Sequence, residues 1–148
     1  SGDRSRLLEA LRGIVPPLDA GAPLVALVKE GGAEAGPAAL LLAEMHATEA
    51  VPPMLALLGD PTALSRREVL MALGRLKDPR AADVVSRDLY SDSAEVRAAA
   101  AEALGALQAQ QHLEAVDALK GDYDLRVREV ASASARRLAA VAPAEARP

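Results

Sequence analysis

The sequence predicts an all-α protein, an α-solenoid of about four and a half stacked antiparallel helix pairs forming one domain over residues 1–148. Three observations predict it. Leu11, Leu42, Leu73 and Leu104 lie thirty-one residues apart, with Ala135 next in the series. A second track, Ile14, Met45, Leu76, Leu107 and Leu138, keeps the same step, and a third runs through Leu27, Leu58 and Leu89 before slipping by one to Leu119. Finally, half the residues are apolar, yet Phe and Trp are absent and only Tyr90 and Tyr123 are aromatic. Leu, Val and Ala must therefore fill the interior, and helices lined with Ala pack closely. A short helix pair carries an apolar stripe on each member and cannot bury both alone, so successive pairs stack to make a continuous core.

The elements follow in order. Leu7, Leu8, Leu11, Ile14 and Val15 fall on one stripe of a 3.6-residue period, and Pro16-Pro17 ends that first outer helix. Its inner partner spans about residues 21–30, with Pro23 in the first turn and Gly31-Gly32 at the stop. The second pair covers about 37–47 and 49–59, the third 63–77 and 80–91, and the fourth 94–108 and 110–120. A last helix over about 124–141 has no partner, which makes nine helices and no strands. Ser132, Ser134, Arg136 and Arg137 replace, one period on, Ala101, Ala103, Gly105 and Ala106. Polar residues at those small-residue places read as a solvent-facing cap that ends the stack. Ser1-Gly2 reads as the scar of a removed tag and 142–148 as a flexible tail, so a leader or flanking domain lost from the chain stays open.

Composition narrows the function. The absence of Cys excludes disulfides, thiolate metal sites and a Cys nucleophile. A net charge of −4 argues against nucleic acid as a partner, because such binding rests on neutralising phosphates. The acidity sits in the first half: residues 1–62 carry eight acidic and four basic side chains, residues 63–148 thirteen of each. Gly, Pro or a charge interrupts every apolar run before membrane-spanning length. A cytoplasmic location is expected.

Glu95-Val96-Arg97-Ala98-Ala99-Ala100-Ala101-Glu102-Ala103-Leu104-Gly105, Val127-Arg128-Glu129-Val130-Ala131 and the segment Leu73 to Ala81 resemble the short bacterial, or phycobilisome-lyase, HEAT-like repeat. The likeness is closest over residues 63–140 and reaches residues 5–62 mainly through the apolar tracks. It implies a HEAT-like, ARM-type superhelix. In that family an Asp before the outer helix and an Arg early in it form a ladder between repeats, and Asp60 with Arg66, Asp92 with Arg97 and Asp122 with Arg128 match that pattern. Some HEAT-like enzymes hold a di-iron centre on repeated His-Glu pairs. This chain has no His-Glu dipeptide, and its two histidines, His46 and His112, are isolated.

No catalytic, cofactor or metal residues are assigned. Ser65, Ser86, Ser91 and Ser93 have no His nearby in sequence, and no Gly-rich phosphate loop or Gly-x-Ser-x-Gly elbow is present. Arg97 and Arg128 could grip an anion, but their register with nearby Asp residues favours the ladder. The first two pairs hold more large apolar residues than packing asks for, and the third inner helix carries Asp83, Arg87 and Tyr90. Val28, Leu57, Asp83, Arg87 and Tyr90 are therefore the expected contact residues of a concave face. The leading reading is a non-enzymatic scaffold or adaptor that binds a protein or peptide and needs no cofactor. The alternatives are a lyase-like or metal-dependent HEAT-repeat enzyme, or a homo-oligomeric structural element.

Overall fold

The computed structural model describes residues 21–141. The first outer helix with Leu11 and Ile14, the tag scar and the tail over 142–148 lie outside them. The described residues form eight α-helices and no strand. These are α1 (Gly21–Glu30), α2 (Ala35–Glu44), α3 (Val51–Leu58), α4 (Arg66–Leu76), α5 (Ala82–Ser86), α6 (Ala94–Ala106), α7 (Leu113–Ala118) and α8 (Leu125–Ala139).

The even-numbered helices are the outer members of their pairs and the odd-numbered ones the inner. Helix α1 has the bounds expected of it, whereas the later inner members are shorter than the sequence suggests. Residues 80–91, expected as one helix, are a 3₁₀ turn at Pro79–Ala81, the short α5, and a second 3₁₀ segment at Arg87–Tyr90. Residues 110–120 break up in the same way around α7. Helix α4 begins at Arg66 and not at 63, because Asp60 holds the preceding residues in a turn by accepting from Thr62 N at 2.9 Å and Thr62 Oγ1 at 2.7 Å.

The period is written into the backbone. His46, Lys77 and Gln108, each one period from the next, have φ near +55° and are the non-glycine residues with positive φ among those described. Each follows an outer helix, and the chain then enters a 3₁₀ turn at Thr48–Ala50, Pro79–Ala81 or Gln110–His112. Ala47 N donates to Leu42 O at 2.9 Å and Ala109 N to Leu104 O at 3.1 Å, the six-to-one bond of a Schellman end. His, Lys and Gln occupy a place where Gly is strain-free. Gln108→Gly should therefore raise stability by about 0.5–1 kcal/mol, as relief of the left-handed cost outweighs the extra chain entropy of Gly. A denaturant midpoint unchanged or lowered in that variant would contradict this.

The loops that lead into the outer helices repeat too. Thr62 N donates to Asp60 Oδ1 at 2.9 Å, Ser93 N to Ser91 Oγ at 3.2 Å and Asp124 N to Asp122 Oδ1 at 2.9 Å. Ser93 and Asp124 are also the N-caps of α6 and α8, and Asp124 accepts from Arg126 N and Val127 N.

The chain divides into two compact units at Leu76 and Lys77. In the first, α2 packs against α1 and α4, and α3 against α1 and α4. In the second, α6 packs against α5 and its 3₁₀ extension and against α8, and α7 packs on α8. Outer helices approach each other closely because their contact residues are small. A Cβ on Gly36 would stand 3.1 Å from Ser65 Cβ and Glu68 Cβ, and one on Gly105 would stand 3.0 Å from Ser134 Oγ. Leu42, Leu73, Leu104 and Leu138 are fully buried, as are Val69, Leu70, Val85 and Val116.

Ser134 corrects one expectation. It is buried against Gly105 and belongs to the contact between α6 and α8, not to a solvent-facing cap. Its hydroxyl and small volume suit the glycine opposite. Arg136 and Arg137 are exposed, and Ser132 Oγ donates to Arg128 O at 2.8 Å.

Candidate functional site

The five expected contact residues fall in both units and are taken unit by unit. In the first, Val28 exposes nothing and is core, which removes it as a contact residue. The helical stripe that placed it among surplus apolar residues could not tell the buried side of α1 from the open side. Leu57 is half-buried at the C-terminal end of α3. Its Cδ1 would lie 3.1 Å from a Cβ on Gly31, where φ is +71°, so the glycine admits Leu57 by lacking a side chain. Around them the ends of α1 and α3 border a recess of about 290 Å³, lined by Val28, Pro53, Ala56 and Leu57 together with the charged Lys29, Glu30 and Asp60.

In the second unit Asp83, Arg87 and Tyr90 are all exposed, Tyr90 by 78 %. They sit on α5 and its 3₁₀ extension at a spacing of four and three residues, which puts them on one side of the segment. One period away on either side, Arg87 corresponds to Ala56 and Ala118, and Tyr90 to Gly59 and Gly121. Packing in the other repeats needs only small residues at these places.

Two features here escaped the sequence. His112 Nε2 donates to Asp83 Oδ1 at 2.8 Å, since a carboxylate can only accept, and so links consecutive inner segments. The pair is twenty-nine residues apart, and only the repeat register could have suggested it. Asp88 is buried although its equivalents in the neighbouring repeats are Leu57 and Leu119; that mismatch was the available signal.

The arginines meet the expected Asp residues at their backbone carbonyls, Arg66 at Asp60, Arg97 at Asp92 and Arg128 at Asp122. Arg66, Arg97 and Arg128, spaced by one period, each reach back six residues to a backbone carbonyl: Asp60 O at 2.6 Å, Ser91 O at 2.8 Å and Asp122 O at 2.9 Å. The expected Asp-to-Arg pairs of one repeat are thus backbone contacts. The carboxylate contact runs to the next repeat, where Asp122 accepts from Arg97 Nε at 2.9 Å and Nη2 at 3.0 Å. The Arg97 bond, followed by the Asp124 N–H, holds the Asp122 carboxyl below the usual carboxylate range. Asp122 in turn raises the Arg97 guanidinium. At Asp60 the Thr62 hydroxyl and N–H have the same lowering effect. One period before Asp122 the residue is Ser91 and two periods before it is Asp60, so the sequence carries a carboxylate at this place in alternate repeats.

Among the described residues no group of three or more His, Asp or Glu side chains is placed to hold a metal ion. His46 is exposed in its turn. No helix among them is long and apolar enough to cross a membrane. A groove between α7 and α8, walled by Leu113, Ala135 and Ala139, has Glu114, Asp117, Lys120 and Arg136 at its edge. Lys120 Nζ and Asp117 Oδ1 pair there at 2.5 Å.

Stacked helix pairs with a periodic left-handed turn and an arginine ladder define an α-helical repeat protein. The chain is a HEAT-like repeat protein: residues 33–94 match the family model for HEAT repeats, and residues 96–120 the one for the PBS lyase HEAT-like repeat. No curated protein matches the chain.

Proposed function

We propose that the protein is a non-enzymatic interaction module that binds a protein or peptide through exposed side chains of its inner segments, with Arg87 and Tyr90 as anchors. HEAT repeats generally mediate protein–protein interaction. The observation that carries the reading for this chain is the placement of an exposed Arg and an exposed Tyr where the repeats on either side have Ala and Gly. Nothing in the core requires either side chain. Both types combine a large contact area with directed hydrogen bonding, which makes them frequent energetic centres of interfaces. Asp83 belongs to the same surface, with His112 fixing its carboxylate.

Tyr90→Ala should weaken partner binding by at least about 1 kcal/mol while leaving the thermal midpoint unchanged. Peptides selected on the immobilised chain from a random library supply the ligands, and calorimetry on wild type and variant gives the comparison. Binders indifferent to both Tyr90→Ala and Arg87→Ala would refute this assignment.

A further inference from the structure

Arg128 repeats one side of Arg97 and lacks the other. Its Nη1 donates to Asp122 O at 2.9 Å and Tyr123 O at 3.2 Å, as Arg97 Nη1, one period earlier, donates to Ser91 O at 2.8 Å and Asp92 O at 3.2 Å. Arg97 also gives Nε and Nη2 to the Asp122 carboxylate of the following repeat. Arg128 Nε and Nη2 meet no carboxylate among the described residues. Two carbonyls thus hold the Arg128 fork as they hold the one that grips a carboxylate at Arg97, and a planar donor pair of this kind binds carboxylates bidentately.

The same register places the fork on a side of α8 that no described helix covers. On α6 the residues that meet the following repeat are Arg97, at Asp122, and Gly105, at Ser134. One period on, these places on α8 hold Arg128 and Arg136, with Leu125 one turn before Arg128. Leu125 and Arg136 are exposed, and so is Tyr123, whose carbonyl Arg128 holds. An arginine at the glycine place keeps a further outer helix from coming as close as α8 comes to α6. A slimmer occupant fits. Arg136 lies eight residues from Arg128, about 12 Å along the helix, a length that about four residues of extended peptide span.

Charge selects the ligand. Helix α8 carries four arginines against one acidic residue, Glu129, in a chain of net charge −4. A lone ion pair on an open face contributes little, so a peptide that adds apolar contact at Tyr123 and Leu125 is held better than a free carboxylate ion.

We propose that Arg128 is a carboxylate-binding site, and that the open side of α8 around it docks an acidic peptide segment of a protein partner. One Asp or Glu takes the Arg128 fork, a second meets Arg136, and an apolar neighbour of the first covers Tyr123 and Leu125. Neither Arg87 nor Tyr90 takes part, so this site and the interface proposed above can fail separately.

The test uses the full chain and the labelled peptide Gly-Leu-Asp-Ala-Ser-Ala-Asp-Leu-Gly, whose pattern is the same in both directions, followed by fluorescence anisotropy. A relative with asparagine at both aspartates should bind at least tenfold more weakly. Arg128→Lys, which keeps the charge without the fork, should weaken the aspartate peptide at least fivefold. Tyr123→Ala and Leu125→Ser should each weaken it several-fold, with melting curves matching wild type. Arg137→Gln removes a charge half a turn round the helix from Arg128 and should leave affinity within twofold. In wild type the Arg128 Nε–Hε resonance should shift as peptide is added while that of Arg97, already bonded to Asp122, stays in place; this readout needs no variant. Failure of the aspartate peptide to bind, equal binding of the asparagine relative, or an unmoved Arg128 resonance would each overturn the site. Equal losses in Arg128→Lys and Arg137→Gln would show diffuse attraction to a basic helix and overturn it as well. Self-association of the chain, read by light scattering and abolished by Arg128→Lys, would put a second copy on this face in place of a peptide. Binding that needs Arg87 and ignores Arg128→Lys would move the carboxylate to the inner segments, overturning this site and leaving the reading of Arg87 and Tyr90 standing.

Discussion

Leu104→Ala is expected to cost the fold about 2–5 kcal/mol, the range for emptying a fully buried leucine site. Leu104 exposes nothing, and its carbonyl accepts the Schellman bond from Ala109 N. The flanking positions on α6 are Ala98 to Ala101, Ala103 and Gly105. Such short side chains cannot swing in to fill a void, and the helices already approach as closely as Gly105 and Ser134 permit. The loss should therefore fall toward the upper part of the range. Leu73, equally buried one period earlier, should behave alike. Because each repeat contacts only its neighbours, the damage should be local. Hydrogen exchange on Leu104→Ala should show amides of residues 94–141 losing protection before those of residues 35–58. A uniform rise across the chain would mean that the repeats unfold as one unit.

The apolar tracks made the outer helices legible because a buried stripe leaves a periodic mark in sequence. Leu42, Leu73 and Leu104 are all fully buried. The inner segments were read less well. Ala, Val and Asp in the third inner segment do not distinguish an α-helix from a 3₁₀ turn, and hydrogen-bond pitch there is set by how tightly the chain must turn back. The left-handed turns left no compositional mark, since His46, Lys77 and Gln108 are three unrelated residue types at a place usually held by Gly. At the candidate site, the exposure of Arg87 and Tyr90 follows from their size at small-residue positions. Val28 looked equivalent in hydrophobicity to Val25, which is only half-buried, and only the packing of α2 and α3 against α1 decides which side is covered.

Arg97→Ala should lower stability by about 1.5–3 kcal/mol, the range for hydrogen bonds that involve charged groups. The guanidinium donates to Ser91 O and Asp92 O within its own repeat and, through a two-pronged contact, to Asp122 in the next. The Arg97 and Asp122 side chains are only 16 % and 7 % exposed, so losing the arginine strands a mostly buried carboxylate. Solvent still reaches the pair, which keeps the figure below that for a fully enclosed one. The effect has a pH signature. Asp122 titrates below its unfolded value in the folded chain, chiefly because of Arg97. Its contribution is therefore fully present above the unfolded carboxylate pKa of about 4 and is lost as pH falls through the lower folded value. Wild type should exceed Arg97→Ala by a constant margin from about pH 5 upward, and the margin should shrink toward pH 3. Arg97→Lys keeps the charge without the fork and should recover only part of the difference. Denaturant titrations of the three proteins across that range provide the check. A margin independent of pH would show that the carbonyl contacts, not Asp122, carry the effect. If Arg97→Ala reduced peptide binding while leaving stability intact, the residue would belong to the interface and not to the ladder.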